Sequence, residues 1–246
     1  LRRLLSHSAG LTVHGFPGYA VTAPVPTIVQ VLDGATPANT APVRVDMVPG
    51  TKFRYSGGGT TVVQLALVDQ LGTPFPQIID DTVLAPLGLK NSTYQQPLPA
   101  VRAAQAASGH RRNGRLVDGR WHVYPEMAAA GLWTTPWDLA HVAIEVARAK
   151  AGQAKRVISQ DTARLMLTPQ AGEVGLGFFV DASGKTDRFG HGGADEGFQA
   201  VLTAFAATGR GVAIMMNSDN GTPAVQPLLD SIAREYEWPG RTPWVP

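Results

Sequence analysis

The chain has 246 residues and a formal net charge of +2, with 44% hydrophobic and 16% charged residues. This balance is typical of a soluble globular protein that is long enough to bury a full core. The basic residues are scattered, and Arg111-Arg112 is about the longest basic run, so a nucleic-acid or membrane-surface role has little support. No apolar stretch approaches the roughly 20 residues that a bilayer-spanning helix needs.

The sequence contains no cysteine, which excludes disulfides, thiolate metal sites and cysteine nucleophiles. A cysteine-free chain fits a periplasmic or secreted bacterial enzyme, which we predict, and it fits a cytosolic enzyme nearly as well. The first five residues, Leu-Arg-Arg-Leu-Leu, show neither an initiator methionine nor a signal-peptide pattern. We therefore expect the natural N-terminus to lie upstream.

Hydrophobic periodicity and turn residues predict the secondary structure in chain order. The predicted elements are the end of a helix over 1–8, a long ordered loop over 12–50 with a short helix near 26–32, helices over 61–71 and from Pro76 to about Pro86, a helix from Thr135 to about Lys150, a short helix after Ser159, strands over 177–180, 198–206 and 211–217, and a final helix over 223–236. Helices followed by an antiparallel meander and a returning helix indicate an α+β fold, with helices packed on an antiparallel sheet. We predict one domain over 1–246, with helix and loop over 1–170 and strands with a C-terminal helix over 171–246.

Residues 53–60, Phe-Arg-Tyr-Ser-Gly-Gly-Gly-Thr, form the strongest local feature. Tyr55 and Ser56 precede three glycines at the predicted start of a helix. Glycines allow close approach of the backbone, and positive charge near a helix N-terminus lowers the pKa of a phenol, so Tyr55 is a candidate general base. Taken alone, the octapeptide fits a glycine-rich helix start with an ordinary packed tyrosine better.

Residues 190–194, Gly-His-Gly-Gly-Ala, form a second feature just before the predicted strand at Phe198. Small residues at a strand edge leave backbone N–H groups uncovered for a ligand, which is how an oxyanion hole is built. His191 could orient a substrate or move a proton. The alternative is a tight turn with an exposed histidine.

Residues 4–11, Leu-Leu-Ser-His-Ser-Ala-Gly-Leu, fit plain helix termination, and we assign no chemistry to Ser6 or His7. The remaining histidines show no metal-ligand spacing, so we predict no metal. The triple glycine lacks the Gly-Lys-Ser/Thr that completes a phosphate loop, so we predict no nucleotide cofactor either.

Several weak motifs in one order resemble the class C β-lactamase family, which includes penicillin-recognising enzymes, serine esterases and D-amino-acid peptidases. The matching stretches are residues 4–11, Tyr55-Ser56-Gly57, Pro86-Leu87-Gly88-Leu89 with Ser92-Thr93, residues 129–139 (Ala-Ala-Gly-Leu-Trp-Thr-Thr-Pro-Trp-Asp-Leu), Gly175-Leu176-Gly177-Phe178 and His191-Gly192-Gly193. This resemblance covers nearly the whole chain. It implies a β-lactamase/transpeptidase-like fold whose N-terminal part is missing here.

The resemblance also implies a mechanism, in which an upstream Ser-x-x-Lys motif supplies a nucleophilic serine. Tyr55 would then shuttle a proton between this serine and the leaving group, with His191 as the second catalytic residue. The N–H of Ala194 would form half of the oxyanion hole, and Gly57, Gly192 and Gly193 would line the substrate site. The implied reaction is acylation of serine followed by attack of water on an ester, amide or peptide.

The sequence departs from the family pattern at two points. None of its lysines (52, 90, 150, 155 and 185) has a serine three residues before it, so Ser-x-x-Lys is absent. We expect an upstream fragment of the same protein to carry it, and this chain alone to be inactive. Gly57 stands where the family has asparagine, and His191 where many members have lysine. Both changes favour an esterase or small-amide hydrolase over a β-lactamase.

Two other hypotheses remain open from the sequence. In the first, Ser56 is the nucleophile, His191 the base and Asp195 the orienting acid, although Arg54 occupies the position where a nucleophile elbow needs glycine. In the second, the chain is a catalytically inactive penicillin-binding-like module that binds cell-wall peptides.

Overall fold

The computed structural model describes residues 1–154 and 156–239 of the chain. Lys155 and residues 240–246, the end of the predicted C-terminal part, lie outside the described residues. The helices are α1 Arg2–Leu5, α2 Ile28–Asp33, α3 Gly57–Leu71, α4 Phe75–Ile79, which continues through a π-helical turn Asp80–Leu84 into α5 Ala85–Leu87, α6 Ala100–Ala103, α7 Met127–Ala130, α8 Pro136–Lys150, α9 Gln160–Met166 and α10 Thr222–Glu235. The strands are β1 Tyr19–Ala20, β2 His122–Val123, β3 Phe179–Val180, β4 Arg188–Asp195, β5 Phe198–Phe205 and β6 Gly211–Met216.

The main sheet has the strand order β3-β4-β5-β6, and every neighbouring pair is antiparallel. One face packs against α8, with Phe189 and Leu202 of the sheet meeting Val146 of the helix. The other face packs against α10, where Phe205 and Leu229 are buried. Because side chains alternate between the two faces of a strand, β5 contributes to both cores. The predicted α+β fold, with helices packed on an antiparallel sheet, is confirmed.

Local capping signals explain where the longer helices begin. The Thr135 side chain accepts a hydrogen bond from the N–H of Asp138 (3.2 Å), and Pro136 occupies the first helical position of α8, as predicted. Helix α3 begins at Gly57, earlier than the predicted residue 61, because Ser56 caps it through the N–H of Gly59 (3.0 Å).

The His-Gly-Gly motif lies within strand β4, so the alternative of a tight turn at this motif is wrong. Glycine and alanine have low β propensity, so no strand pattern is visible there. The pairing of β4 with β5 requires glycine at position 190, because a Cβ atom there would stand 2.1 Å from the carbonyl oxygen of Leu202. The small sheet of β1 and β2 was not predicted either, since each of its strands has only two residues.

The described residues contain no helix that is both long and apolar enough to cross a membrane. The same residues hold no group of three or more histidine, aspartate or glutamate side chains placed to bind a metal ion.

Glu126, directly before α7, is an unusual feature of the interior. The residue is 0% exposed, and neither carboxylate oxygen makes a hydrogen bond of normal geometry among the described residues. Burial disfavours the charged form and raises the pKa of this carboxyl from 4.5 to about 7, against the smaller opposing effects of its own backbone N–H and the Tyr19 hydroxyl. Between these two values the unfolded chain loses the proton and the folded chain keeps it. The free energy of unfolding therefore falls as the pH rises through this window.

We predict that Glu126→Gln removes this penalty, because the amide has the same shape and no charge. The variant should exceed the wild type in free energy of unfolding by about 3 kcal/mol at pH 8 and equal it near pH 4. Urea unfolding at both pH values measures the difference, with Glu173→Gln as the exposed control. An equal difference at the two pH values would show that ionisation is not the cause.

Candidate active site

The ring of Tyr55 lies at the centre of a cluster of aromatic side chains from distant parts of the chain. The ring centroids of His7, His14 and His191 are 4.1, 4.8 and 5.9 Å from that of Tyr55. Phe179 of β3 lies parallel to the phenol at 6.5 Å. Tyr55 precedes α3 and His191 belongs to β4, so the cluster joins the helical region to the main sheet.

The hydroxyl oxygen of Tyr55 is 3.5 Å from Nε2 of His191. The other ring nitrogen, Nδ1, is bonded to the carbonyl oxygen of Gly192. A carbonyl can only accept, so Nδ1 carries the proton and Nε2 of the neutral ring is the acceptor. The phenol therefore donates to the histidine. Burial lowers the pKa of His191, which keeps this acceptor free at neutral pH.

Burial raises the pKa of the Tyr55 phenol above its usual 10. The sequence suggested a lowered value through positive charge at the helix N-terminus, and that expectation is wrong for the described residues. The cause is the enclosure of the ring by its aromatic neighbours, which disfavours the phenolate. Tyr55 is thus a proton donor in this arrangement, with His191 as its acceptor.

The predicted oxyanion-hole residues lie on an open edge of β4. The N–H of Asp181 donates to the carbonyl of Arg188 (3.1 Å), and in an antiparallel strand every second residue bonds toward the same neighbour. Gly192 and Ala194 therefore direct their backbone groups to the β3 side. Pairing of β3 with β4 reaches only as far as Gly190, so in the described part of the chain these two N–H groups face an unpaired edge beside His191.

Gly193 has a different role in the strand. Its register partner is Ala200, and its backbone groups point into the sheet toward β5. It lies on the same face of β4 as His191, where the absence of a side chain leaves space in front of the open edge. Contact of Gly192, Gly193 and Ala194 with a substrate stays a prediction.

The family model described as Beta-lactamase matches residues 1–236, which is nearly the whole chain. The chain belongs to the β-lactamase family. Its mixed helices and antiparallel sheet agree with this fold, and the resemblance inferred from the sequence motifs is confirmed. None of the curated proteins matches the chain.

Solved structures with the β-lactamase fold are similar over most of the chain. An octameric penicillin-binding protein homologue from Pyrococcus abyssi is 21% identical, with a TM-score of 0.68 over 93% of this chain and 55% of its own. The D-amino acid amidase from Ochrobactrum anthropi SV3 is 18% identical, with a TM-score of 0.71 over 96% of this chain and 72% of its own. A D-stereospecific amidohydrolase from Streptomyces sp. is 19% identical, with a TM-score of 0.63 over 89% of this chain and 67% of its own. At such identities the likeness shows the fold, and this chain spans 55 to 72% of these relatives' lengths.

Gly57, which replaces the family's asparagine, is enclosed at the first position of α3. Its N–H donates to the carbonyl of His14 (2.9 Å), and an added Cβ would stand 3.0 Å from the same oxygen and 3.3 Å from the ring of Phe16. The backbone N–H of Gly57 therefore binds the 13–16 loop, and little space remains for a side chain at this position. A role for Gly57 in substrate binding stays a prediction.

The geometry does not support Ser56 as a nucleophile. Its hydroxyl donates to the carbonyl of Thr12 (2.6 Å) and accepts from the N–H of Gly59, and the residue is 3% exposed. Asp195, the proposed orienting acid, is four residues from His191 along one strand, about 13 Å at the usual rise of a strand. Nδ1 of His191 is already bonded to Gly192. The three residues therefore do not form a catalytic triad.

His7, His14 and Phe179 are residues of this site that the sequence did not reveal, and His7 makes the closest ring contact with Tyr55. Ser6 and Ser8 bond to each other through their hydroxyls (2.9 Å), and Gly10 reverses the chain with a φ of 74°, so the predicted helix termination is present. His7 is nonetheless buried against Tyr55. The only sequence signal was its place in the family motif of residues 4–11, because a contact 48 residues away leaves no local pattern.

We predict that Ser56→Ala destabilises the protein by about 1 kcal/mol through loss of the helix cap and leaves the hydrolytic rate essentially unchanged. Urea unfolding and an ester-hydrolysis assay on the full-length protein check the two parts. Ser159→Ala is the matched control, because Ser159 caps α9 through the N–H of Thr162 (3.1 Å) away from Tyr55. Loss of hydrolysis in a folded Ser56→Ala variant would restore the triad hypothesis.

Proposed function

We propose that the chain is the larger, downstream part of a serine hydrolase that cleaves an ester or amide through an acyl-enzyme. The observation that carries the proposal is the contact between the Tyr55 hydroxyl and Nε2 of His191 (3.5 Å). This contact lies beside the open edge of β4, where the N–H of Ala194 is directed. A proton donor with its acceptor, next to an unpaired N–H, is what acyl transfer requires apart from the nucleophile.

The nucleophile belongs to a segment that these 246 residues do not contain. We propose that an upstream part of the same protein carries a Ser-x-x-Lys motif and packs against Tyr55. Two observations support this step. The chain contains no Ser-x-x-Lys, and it spans little more than half of the Pyrococcus abyssi relative.

The described residues suggest how protons move in the proposed reaction. As the serine oxygen bonds to the substrate carbonyl carbon, its proton passes to the oxygen of Tyr55 while the phenol proton passes to Nε2 of His191. The reverse transfer delivers a proton to the departing alkoxide or amine as its bond to the carbonyl breaks. Water then repeats the sequence and releases the acid. The N–H groups of Ala194 and of the serine would stabilise the tetrahedral oxyanion.

We propose a small ester, an amide or a short peptide as substrate, with an amino-acid amide as the first to test. The support comes from the D-amino acid amidase and the D-stereospecific amidohydrolase among the similar structures. Gly57 offers no side-chain amide, and His191 offers no fixed cation for a substrate carboxylate. For these reasons we expect weak β-lactam turnover or none. A periplasmic or secreted location is part of the same proposal.

The alternative function is that of an inactive penicillin-binding-like module for cell-wall peptides. The observation that favours it is the absence of Ser-x-x-Lys from the sequence. Treatment of the full-length natural protein with a fluorophosphonate probe, followed by intact-mass spectrometry, separates the two functions. Labelling of an upstream serine supports the hydrolase. A full-length protein that contains no Ser-x-x-Lys and gains no mass would establish the binding module instead.

We predict that Tyr55→Phe and His191→Gln each lower the rate of probe labelling and of ester hydrolysis by about 100-fold to 10,000-fold, because each removes one member of the proton-transfer pair. The same loss should not occur in His141→Gln, a histidine on α8 whose ring contacts Trp137. Stopped-flow acylation of the full-length protein provides the measurement. Wild-type rates in both Tyr55 and His191 variants would contradict the proposed roles.

We also predict the direction of the pH dependence. His191 must be neutral to accept the phenol proton, so kcat/KM should fall on the acid side as the ring becomes protonated. Since burial lowers the pKa of His191, this acid limb should lie below pH 6.5, the usual histidine value. An acid limb above that value would show that another group controls it.

A further inference from the structure

His7 binds the backbone on both sides of Tyr55. The carbonyl oxygen of His7 accepts a hydrogen bond from the N–H of Arg54 (2.8 Å), and its side-chain Nδ1 accepts one from the N–H of Ser56 (3.2 Å). One residue thus bonds to both chain neighbours of the phenol. These two bonds fix the direction in which the intervening side chain leaves the backbone.

The imidazole of His7 also contacts the phenol ring directly. The two centroids are 4.1 Å apart with the planes inclined by 30°, which is the shortest ring separation in the cluster around Tyr55. His14 contacts the same ring at 4.8 Å. His7 is only 7% exposed, so solvent does not compete for this contact.

The protonation state of His7 follows from its bonding. Nδ1 can accept from Ser56 only when it carries no proton, so the neutral ring has its proton on Nε2. Burial first, and then the nearby imidazoles of His191 and His14, lower the pKa of His7 to about 4. The acceptor is therefore present throughout the neutral range, and the ring adds no positive charge beside the phenol.

The backbone of His7 adopts a left-handed conformation. Its φ is 50°, in a region that residues with a Cβ atom adopt infrequently but where asparagine, aspartate and histidine are enriched. This conformation ends α1, because the N–H groups of His7 and Ser8 donate to the carbonyls of Leu4 (3.3 Å) and Arg3 (2.9 Å). The same turn directs the imidazole toward Ser56 and Tyr55.

We propose that His7 is a positioning residue, which holds the Tyr55 hydroxyl within reach of His191 through two backbone bonds and one ring contact. It does not touch the reacting atoms and acts through Tyr55. The catalytic consequence rests on the proposed hydrolase function, whereas the positioning itself does not.

Two substitutions separate the ring contact from the hydrogen bond. His7→Asn keeps an acceptor near the position of Nδ1 and tolerates the left-handed backbone, but it has no ring. His7→Phe keeps the ring and loses the acceptor. In the full-length protein, His7→Asn should lower kcat for an ester by roughly 10-fold to 100-fold, because a small displacement of a catalytic group has a cost of this order. KM should stay within about twofold, since the residue does not touch the substrate.

The pKa of Tyr55, followed by ¹³Cζ NMR and assigned by the signal lost in Tyr55→Phe, gives a readout that needs no enzymatic activity. In the wild type burial raises this pKa above 10. It should fall toward 10 in His7→Asn, where water replaces the ring, and stay raised in His7→Phe. His141→Asn is the control for both measurements and should match the wild type.

Each outcome bears on one proposal. A folded His7→Asn with wild-type kcat and an unchanged Tyr55 titration would overturn the positioning role. A kcat loss accompanied by an equal rise in KM and an unchanged titration would also overturn it, because general destabilisation would then explain the loss. A wild-type protein without hydrolytic activity would refute the proposed function, and the NMR titration would still decide whether His7 positions Tyr55.

Discussion

The pairing of β4 with β5 is the constraint on which the site depends. Every residue of β4, from Arg188 to Asp195, has a partner in β5, and His191 stands opposite Leu202. A slip of one residue would exchange the two faces of the strand and turn His191 away from Tyr55. It would also turn the N–H of Ala194 into the sheet. The register between β4 and β5 thus determines both the direction of the His191 side chain and the direction of the Ala194 N–H.

The backbone around Tyr55 is held by segments outside the sheet. The loop before α3 is bound through Ser56 to Thr12 and His7, and through Gly57 to His14. Close packing leaves these residues few alternative conformations, because backbone N–H groups of the loop before α3 have their hydrogen-bond partners in the segment 7–14. The site therefore lies where these segments and the sheet meet, through the 3.5 Å contact of the Tyr55 hydroxyl with His191 and the stacking of the Tyr55 ring on Phe179.

The sequence predicted the parts of the fold that depend on local chemistry. Thr135 and Pro136 marked the start of α8 correctly, and the apolar runs of β5 and β6 gave the meander, because capping and periodicity act over a few residues. Strand β4 shows no apolar pattern, because its glycines are set by close approach to β5, which no local pattern records. The contact of His7 with Tyr55 leaves no local pattern for the same reason, although its place at the end of α1 was predicted correctly. Tyr55 and His191 were identified through the order of family motifs, and their mutual distance needed the three-dimensional structure.

His7 and Glu126 are buried groups of opposite type, and together they have a consequence for unfolding. The pKa of His7 is lowered from 6.5 to about 4, and that of Glu126 is raised from 4.5 to about 7. When the chain unfolds between pH 4.5 and 6.5, the carboxyl releases a proton and the imidazole takes one up. For these two groups the net exchange with the solvent is close to zero. Their contribution to the calorimetric enthalpy of unfolding should therefore be nearly independent of the ionisation heat of the buffer.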